Sequence, residues 1–115
     1  MNQDIWADVS QRKGIPEVSV TWVANNMGAF QLVDVREPDE LRGPLGRLED
    51  ANNVPLRTLV QESASWDTSK PVVVFCRSGG RSGQAAMALQ RAGFLKVASM
   101  AGGMLEWHAR SLPTL

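Results

Sequence analysis

A single cysteine, Cys76, excludes any internal disulfide, and a reducing cytoplasm is the expected compartment. One cysteine and one histidine, His108, are too few for a zinc site, so no metal is expected. Neither charge sign predominates: 12 Lys and Arg stand against 12 Asp and Glu. That balance argues against a dominant nucleic-acid or anionic-membrane surface. No apolar run approaches the roughly 20 residues needed to cross a bilayer. The start, Met1-Asn2-Gln3-Asp4-Ile5-Trp6-Ala7-Asp8, lacks the basic opening and apolar middle of a secretion signal, so no leader is expected. Repeats, low-complexity tracts and linkers are missing too. The glycines fall into neither a dinucleotide nor a P-loop fingerprint, and no organic cofactor is expected.

What is present is ordinary in bulk and specific in one place. With 115 residues and 43% apolar content, the chain reads as one domain, 1–115, whose first 15 residues form a polar extension. In that extension Ile5, Trp6 and Val9 suggest one apolar helical face. Strands and helices then alternate. Residues 16–18 suggest a brief edge strand, and Ser19 an N-cap for a helix ending near Gly28. Strands are expected at 30–35, 51–54, 71–76 and 96–100. A short helix is expected around 38–41, and longer ones at 56–66, from the Cys76 loop to about Ala92, and at 103–110. Gly93 fits a helix C-cap. This alternation predicts an α/β fold with three layers: a mostly parallel sheet of about five strands, covered by helices on both faces.

The run Val72-Val73-Val74-Phe75 reads as a buried strand that delivers Cys76 onto a loop, Arg77-Ser78-Gly79-Gly80-Arg81-Ser82. Beyond it, Gln84 to Arg91 is strong helix-forming sequence. A thiol between a strand end and a helix start meets unpaired N–H groups and the positive end of the helix dipole. Such surroundings lower a thiol's pKa and supply thiolate near neutral pH. Gly79 and Gly80 let several amides converge on one point, and Arg77 and Arg81 add permanent positive charge. In open α/β sheets ligands bind at the carboxyl ends of strands, where Cys76 lies. The pattern is that of a nucleophile in an anion cradle. Asp34 and Arg36, at another strand end, are supporting candidates, expected to form an ion pair or turn cap. Nothing in the spacing places His108 beside the thiol.

Cys76-Arg77-Ser78-Gly79-Gly80-Arg81 resembles the active-site loop of rhodanese-type sulfurtransferases. Asp34-Val35-Arg36-Glu37 resembles that family's strand-ending segment, Ala51-Asn52-Asn53-Val54-Pro55-Leu56 its Ala-x-Asn-(Ile/Val)-Pro-Leu stretch, and Gly102-Gly103-Met104-Leu105-Glu106-Trp107 with Leu112-Pro113 its closing signature, all in the family's order over roughly residues 16–113. The resemblance implies a rhodanese-like fold and transfer of sulfane sulfur through a Cys76 persulfide. The donor would be thiosulfate or similar, and the acceptor cyanide, a small thiol or a protein thiol. With no second cysteine, the acceptor must come from outside. Two other readings compete. Some relatives are non-catalytic or carrier modules that bind a protein, although these often lack the cysteine. Cysteine phosphatases and arsenate reductases share the strand–loop–helix, but their loops hold one more residue between cysteine and arginine. A tetrahedral oxyanion needs that wider ring. The chain departs from many relatives at Arg47, Glu49 and Asp50, leaving the rim of the site open at that point.

Overall fold

The computed structural model describes residues 4–115. Its single sheet has six strands: β1 (Ser10–Arg12), β2 (Ile15–Val18), β3 (Gln31–Asp34), β4 (Asn52–Asn53), β5 (Val72–Phe75) and β6 (Val97–Met100). The spatial order is β1-β2-β6-β5-β3-β4, and every pairing is parallel except β1 with β2. Four α-helices, α1 (Val20–Asn25), α2 (Leu56–Ser63), α3 (Gly80–Arg91) and α4 (Gly103–Ala109), cover the two faces. Two 3-10 segments, Ile5–Asp8 and Pro38–Arg42, complete the regular structure.

The sixth strand is the main departure from the sequence reading. β1 lies inside the expected extension and folds back on β2, pairing Ser10 with Glu17 and Arg12 with Ile15. Its three residues are all exposed, so they carry no apolar alternation that would mark a strand. Its partner supplies the order instead. Consequently β2, expected at the edge, sits second from it. The Ile5–Asp8 turn is 3-10 rather than α-helical, yet Trp6 and Val9 do pack against the core.

Two apolar layers flank the sheet. Val33, Val72, Val74, Cys76, Ala85, Ala86 and Leu89 belong to the layer beneath α2 and α3. Val73, Phe75, Ala98, Met100, Met104 and Trp107 belong to the one beneath α1 and α4. Side chains alternate across a strand, so β5 sends Val72 and Val74 one way and Val73 and Phe75 the other. Cys76 continues the first set and is thereby aimed toward α3. Burying each of these side chains contributes about 1.5–3 kcal/mol, against ~0–1 kcal/mol for a surface ion pair. Packing, not charge, holds the strand that presents the thiol.

Candidate active site

Cys76 directly follows β5, and α3 begins four residues later at Gly80. Gly79 caps α3 with φ +114°, a left-handed conformation that turns the chain back on itself. The turn aims two N–H groups at the sulfur: Gly79 N donates to Sγ at 3.1 Å and Ser82 N at 3.4 Å. Ser82 Oγ lies 3.6 Å from Sγ. A thiol donates to that hydroxyl, and a thiolate accepts from it. Behind Ser82 is a second buried hydroxyl, Ser99 Oγ, 2.7 Å away. Burial pushes the Cys76 thiol up, but hydrogen bonds from the Ser82 hydroxyl and N–H, then from the Gly79 and Ser78 N–H groups, more than offset it. The thiol is held below its ordinary value, which favours thiolate.

The loop is also gripped from outside. Met104 N donates to Cys76 O at 2.9 Å, and Leu105 N donates to Arg77 O at 3.0 Å, so the first amides of α4 bind the carbonyls of the cysteine loop. This close approach explains Gly103. Its φ is +56°, and a Cβ there would lie 2.7 Å from the carbonyl carbon and oxygen of Arg77.

The expected residues occupy distinct positions. Arg77 and Ser78 are exposed, Arg81 is half-buried, and Ser82 is fully buried. Arg81 donates to both carboxylate oxygens of Glu40, at 2.6 and 2.9 Å, which draws its guanidinium into a bidentate pair. Asp34 and Arg36 form the expected ion pair, at 2.7 Å and almost wholly buried. Arg36 also donates to Gly46 O at 2.9 Å and Glu40 O at 3.4 Å, tying β3 to the segment that carries Glu40. Neither residue reaches Sγ. His108 Nε2 sits 2.8 Å from Leu45 O and is not among the hydrogen-bond partners of Sγ. The departing segment at Arg47, Glu49 and Asp50 lies beside the α1 and α4 layer, where Leu48 is buried and Arg47 exchanges backbone hydrogen bonds with Leu115.

Two residues were missed by the sequence reading, Glu40 and Ser99. Glu40 stands 41 positions from Arg81, and Ser99 stands 17 from Ser82, in the strand expected at 96–100. Local spacing gives no signal for either.

Two predictions follow directly from these contacts. Ser82→Ala removes a hydroxyl that donates to the thiolate, so the pH midpoint of Cys76 alkylation should rise by about one unit, the scale of one hydrogen bond to a charged group. Ser99→Ala should move it the same way by less, because it frees the Ser82 hydroxyl to reorient without removing it. The second concerns Glu40, whose carboxyl the Arg81 hydrogen bonds lower from 4.5 to about 2 against a smaller opposing effect of burial. A depressed folded-state pKa gives stability that is present above the unfolded value and lost as pH falls through the folded one. Urea midpoints of the wild type should therefore drop between pH 4.5 and about 2, and Glu40→Gln should flatten that part of the profile.

Comparison with known proteins agrees with this geometry. The sequence matches the family described as "Rhodanese-like domain" over residues 19–110. A Bacillus subtilis protein, uncharacterized YqhL, is 40% identical over 80 residues, covering 70% of this chain and 62% of its own. The match covers only 48% of a Synechocystis relative, so the chain spans about half to two thirds of these two proteins. A thiosulfate sulfurtransferase of Vibrio cholerae, GlpE, is 34% identical over 82 residues, covering 71% of this chain and 76% of its own. Among solved structures, a rhodanese-related protein of Thermoplasma volcanium superposes with a TM-score of 0.76 at 28% identity, covering 84% of this chain and 94% of that one. A strand-borne cysteine, a glycine-turned loop and a closing arginine thus occur on a fold shared with sulfurtransferases, and the chain belongs to the rhodanese-like domain family.

Proposed function

We propose that the protein transfers sulfane sulfur from a thiosulfate-type donor to an external thiophilic acceptor through a persulfide on Cys76. The observation that carries this reading is the pair of N–H groups, from Gly79 and Ser82, converging on Sγ at the start of α3. The Cys76 thiolate attacks the outer sulfur of thiosulfate. A new S–S bond forms, the old one breaks, and sulfite leaves with the bonding pair. The terminal sulfur then carries the negative charge, in a position where loop amides and the α3 terminus stabilise it. An acceptor nucleophile takes that sulfur and returns Cys76 as thiolate, a two-step covalent cycle.

Two observations weigh against the other readings. A binding module has no use for a buried thiol on which two N–H groups converge. The four residues between Cys76 and Arg81 leave a ring shorter than a tetrahedral oxyanion requires, which argues against phosphoryl chemistry. Intact-mass measurement after incubation with thiosulfate tests the proposal. The expected result is a gain of one sulfur atom, removed by cyanide or reductant. An unchanged mass under these conditions would sink it.

A further inference from the structure

A cavity of about 200 Å³ opens beside the cysteine loop, lined by Arg77, Arg36, Glu40, Gly43, Pro44 and Leu45. It touches the site at two points. Arg77 directly follows the nucleophile, and Glu40 holds Arg81, the residue before Ser82. Pro44 and Leu45 give the cavity an apolar part, and the segment that carries them is held in place. Gly43 N donates to Glu40 O and Gly46 N to Gly43 O, each at 3.1 Å. Arg36 donates to Gly46 O, and His108 bonds Leu45 O. A wall fixed at several points needs no ordering when a ligand arrives.

The charges around this cavity are unequal in availability. Arg36 is neutralised by Asp34, and Glu40 is neutralised by Arg81. Arg77 makes no ion pair or side-chain hydrogen bond among the described residues and is exposed. The cavity therefore offers one free guanidinium among its lining residues together with Pro44 and Leu45, at a volume below the roughly 300–1,000 Å³ typical of drug-sized ligands.

We infer that this cavity is the subsite for a small organic thiol carrying a carboxylate, its alkyl part against Pro44 and Leu45 and its carboxylate on Arg77. The inference rests on the sulfur-transfer reading and names its acceptor class. In the transfer step the acceptor's thiolate forms a bond to the outer persulfide sulfur. The Cys76 Sγ–S bond breaks, its electron pair returns to Cys76 as thiolate, and the outer sulfur leaves on the acceptor with any proton it carried. No oxidant or reductant is consumed. A carboxylate bound on Arg77 would hold the acceptor sulfur within reach of the loop, converting a collision into a positioned attack.

The test discharges persulfide-loaded protein in single turnovers with thioglycolate (anionic), mercaptoethanol (neutral) and cysteamine (cationic), each rate corrected to thiolate concentration. Thioglycolate should exceed cysteamine by about tenfold, the effect of roughly one charge-assisted hydrogen bond. Arg77→Gln should bring the ratio near one, and Leu45→Glu should reverse its order. A second arm needs no persulfide. Alkylation of Cys76 by iodoacetate relative to iodoacetamide, normalised to a free thiol, should fall in Arg77→Gln. If cyanide discharges the persulfide but the thiol series is flat, or the ratio survives in Arg77→Gln, the subsite is wrong and the proposed activity stands. If thiosulfate never loads the protein, the activity is wrong, and the alkylation pair still decides the subsite.

Discussion

Cys76→Ser should leave a folded protein with no measurable sulfur transfer. The replacement is nearly isosteric at a position where the side chain is 1% exposed, and the hydroxyl retains Ser82 and Gly79 as neighbours. Thermal unfolding should therefore stay close to that of the wild type. The chemistry cannot survive, because a serine alkoxide is inaccessible where a thiolate is abundant, and oxygen does not form the sulfur–sulfur bond that the cycle requires. Purified variant should neither gain a sulfur atom from thiosulfate nor release thiocyanate when cyanide is added. Substantial turnover would place the nucleophile elsewhere, and the chain has no second cysteine to offer.

Arg81→Ala should cost about 2–4 kcal/mol of transition-state stabilisation, by comparison with loss of one preorganised donor at an oxyanion site. The Glu40 pair refines the reason. Arg81 spends both terminal nitrogens on that carboxylate, so its first effect is to lock the end of the cysteine loop to the Pro38–Arg42 segment. Arg81→Lys should recover only part of the loss, since an ammonium keeps charge but not the planar fork. Glu40→Gln separates the two contributions. If Arg81 acts chiefly by positioning, that variant should reproduce most of the defect in kcat/KM for thiosulfate. If its charge acts directly on the donor anion, freeing it should raise kcat/KM. Wild-type activity in Arg81→Ala would reduce the arginine to a surface residue.

The setting of Cys76 was legible in the sequence because its requirements are local. A buried strand, two glycines, two arginines and a helix start occupy one continuous stretch, and folding only has to keep them adjacent. The same holds for the α/β layering, since β5 and β6 announce themselves as apolar runs bounded by turns. Asp34 and Arg36, two residues apart, could likewise be read as a pair. β1 was illegible because Ser10-Gln11-Arg12 buries nothing and gains its order from the neighbour it pairs with. Arg81 was legible as a residue but not in its surroundings. Its carboxylate partner arrives from a segment joined to it only by the tertiary fold, as does the Ser99 hydroxyl behind Ser82. Charge and hydroxyl partners across a sheet leave no periodic trace along the chain.

The grip of α4 on the cysteine loop has a consequence for the order of assembly. The amides that hold the Cys76 and Arg77 carbonyls belong to Met104 and Leu105, synthesised a helix and a strand after Cys76 itself. β5 draws its neighbours β3 and β6 from distant parts of the chain, and the carbonyl side of the cysteine loop closes only when α4 docks. Mutations at the Gly102–Gly103 junction should thus act as assembly defects. They would leave the Cys76 and Arg77 carbonyls without the Met104 and Leu105 amides, while the N–H groups on Sγ still come from Gly79 and Ser82. The outer side of the cysteine loop is thereby completed by α4, a segment made after the strand and the helix that flank the loop.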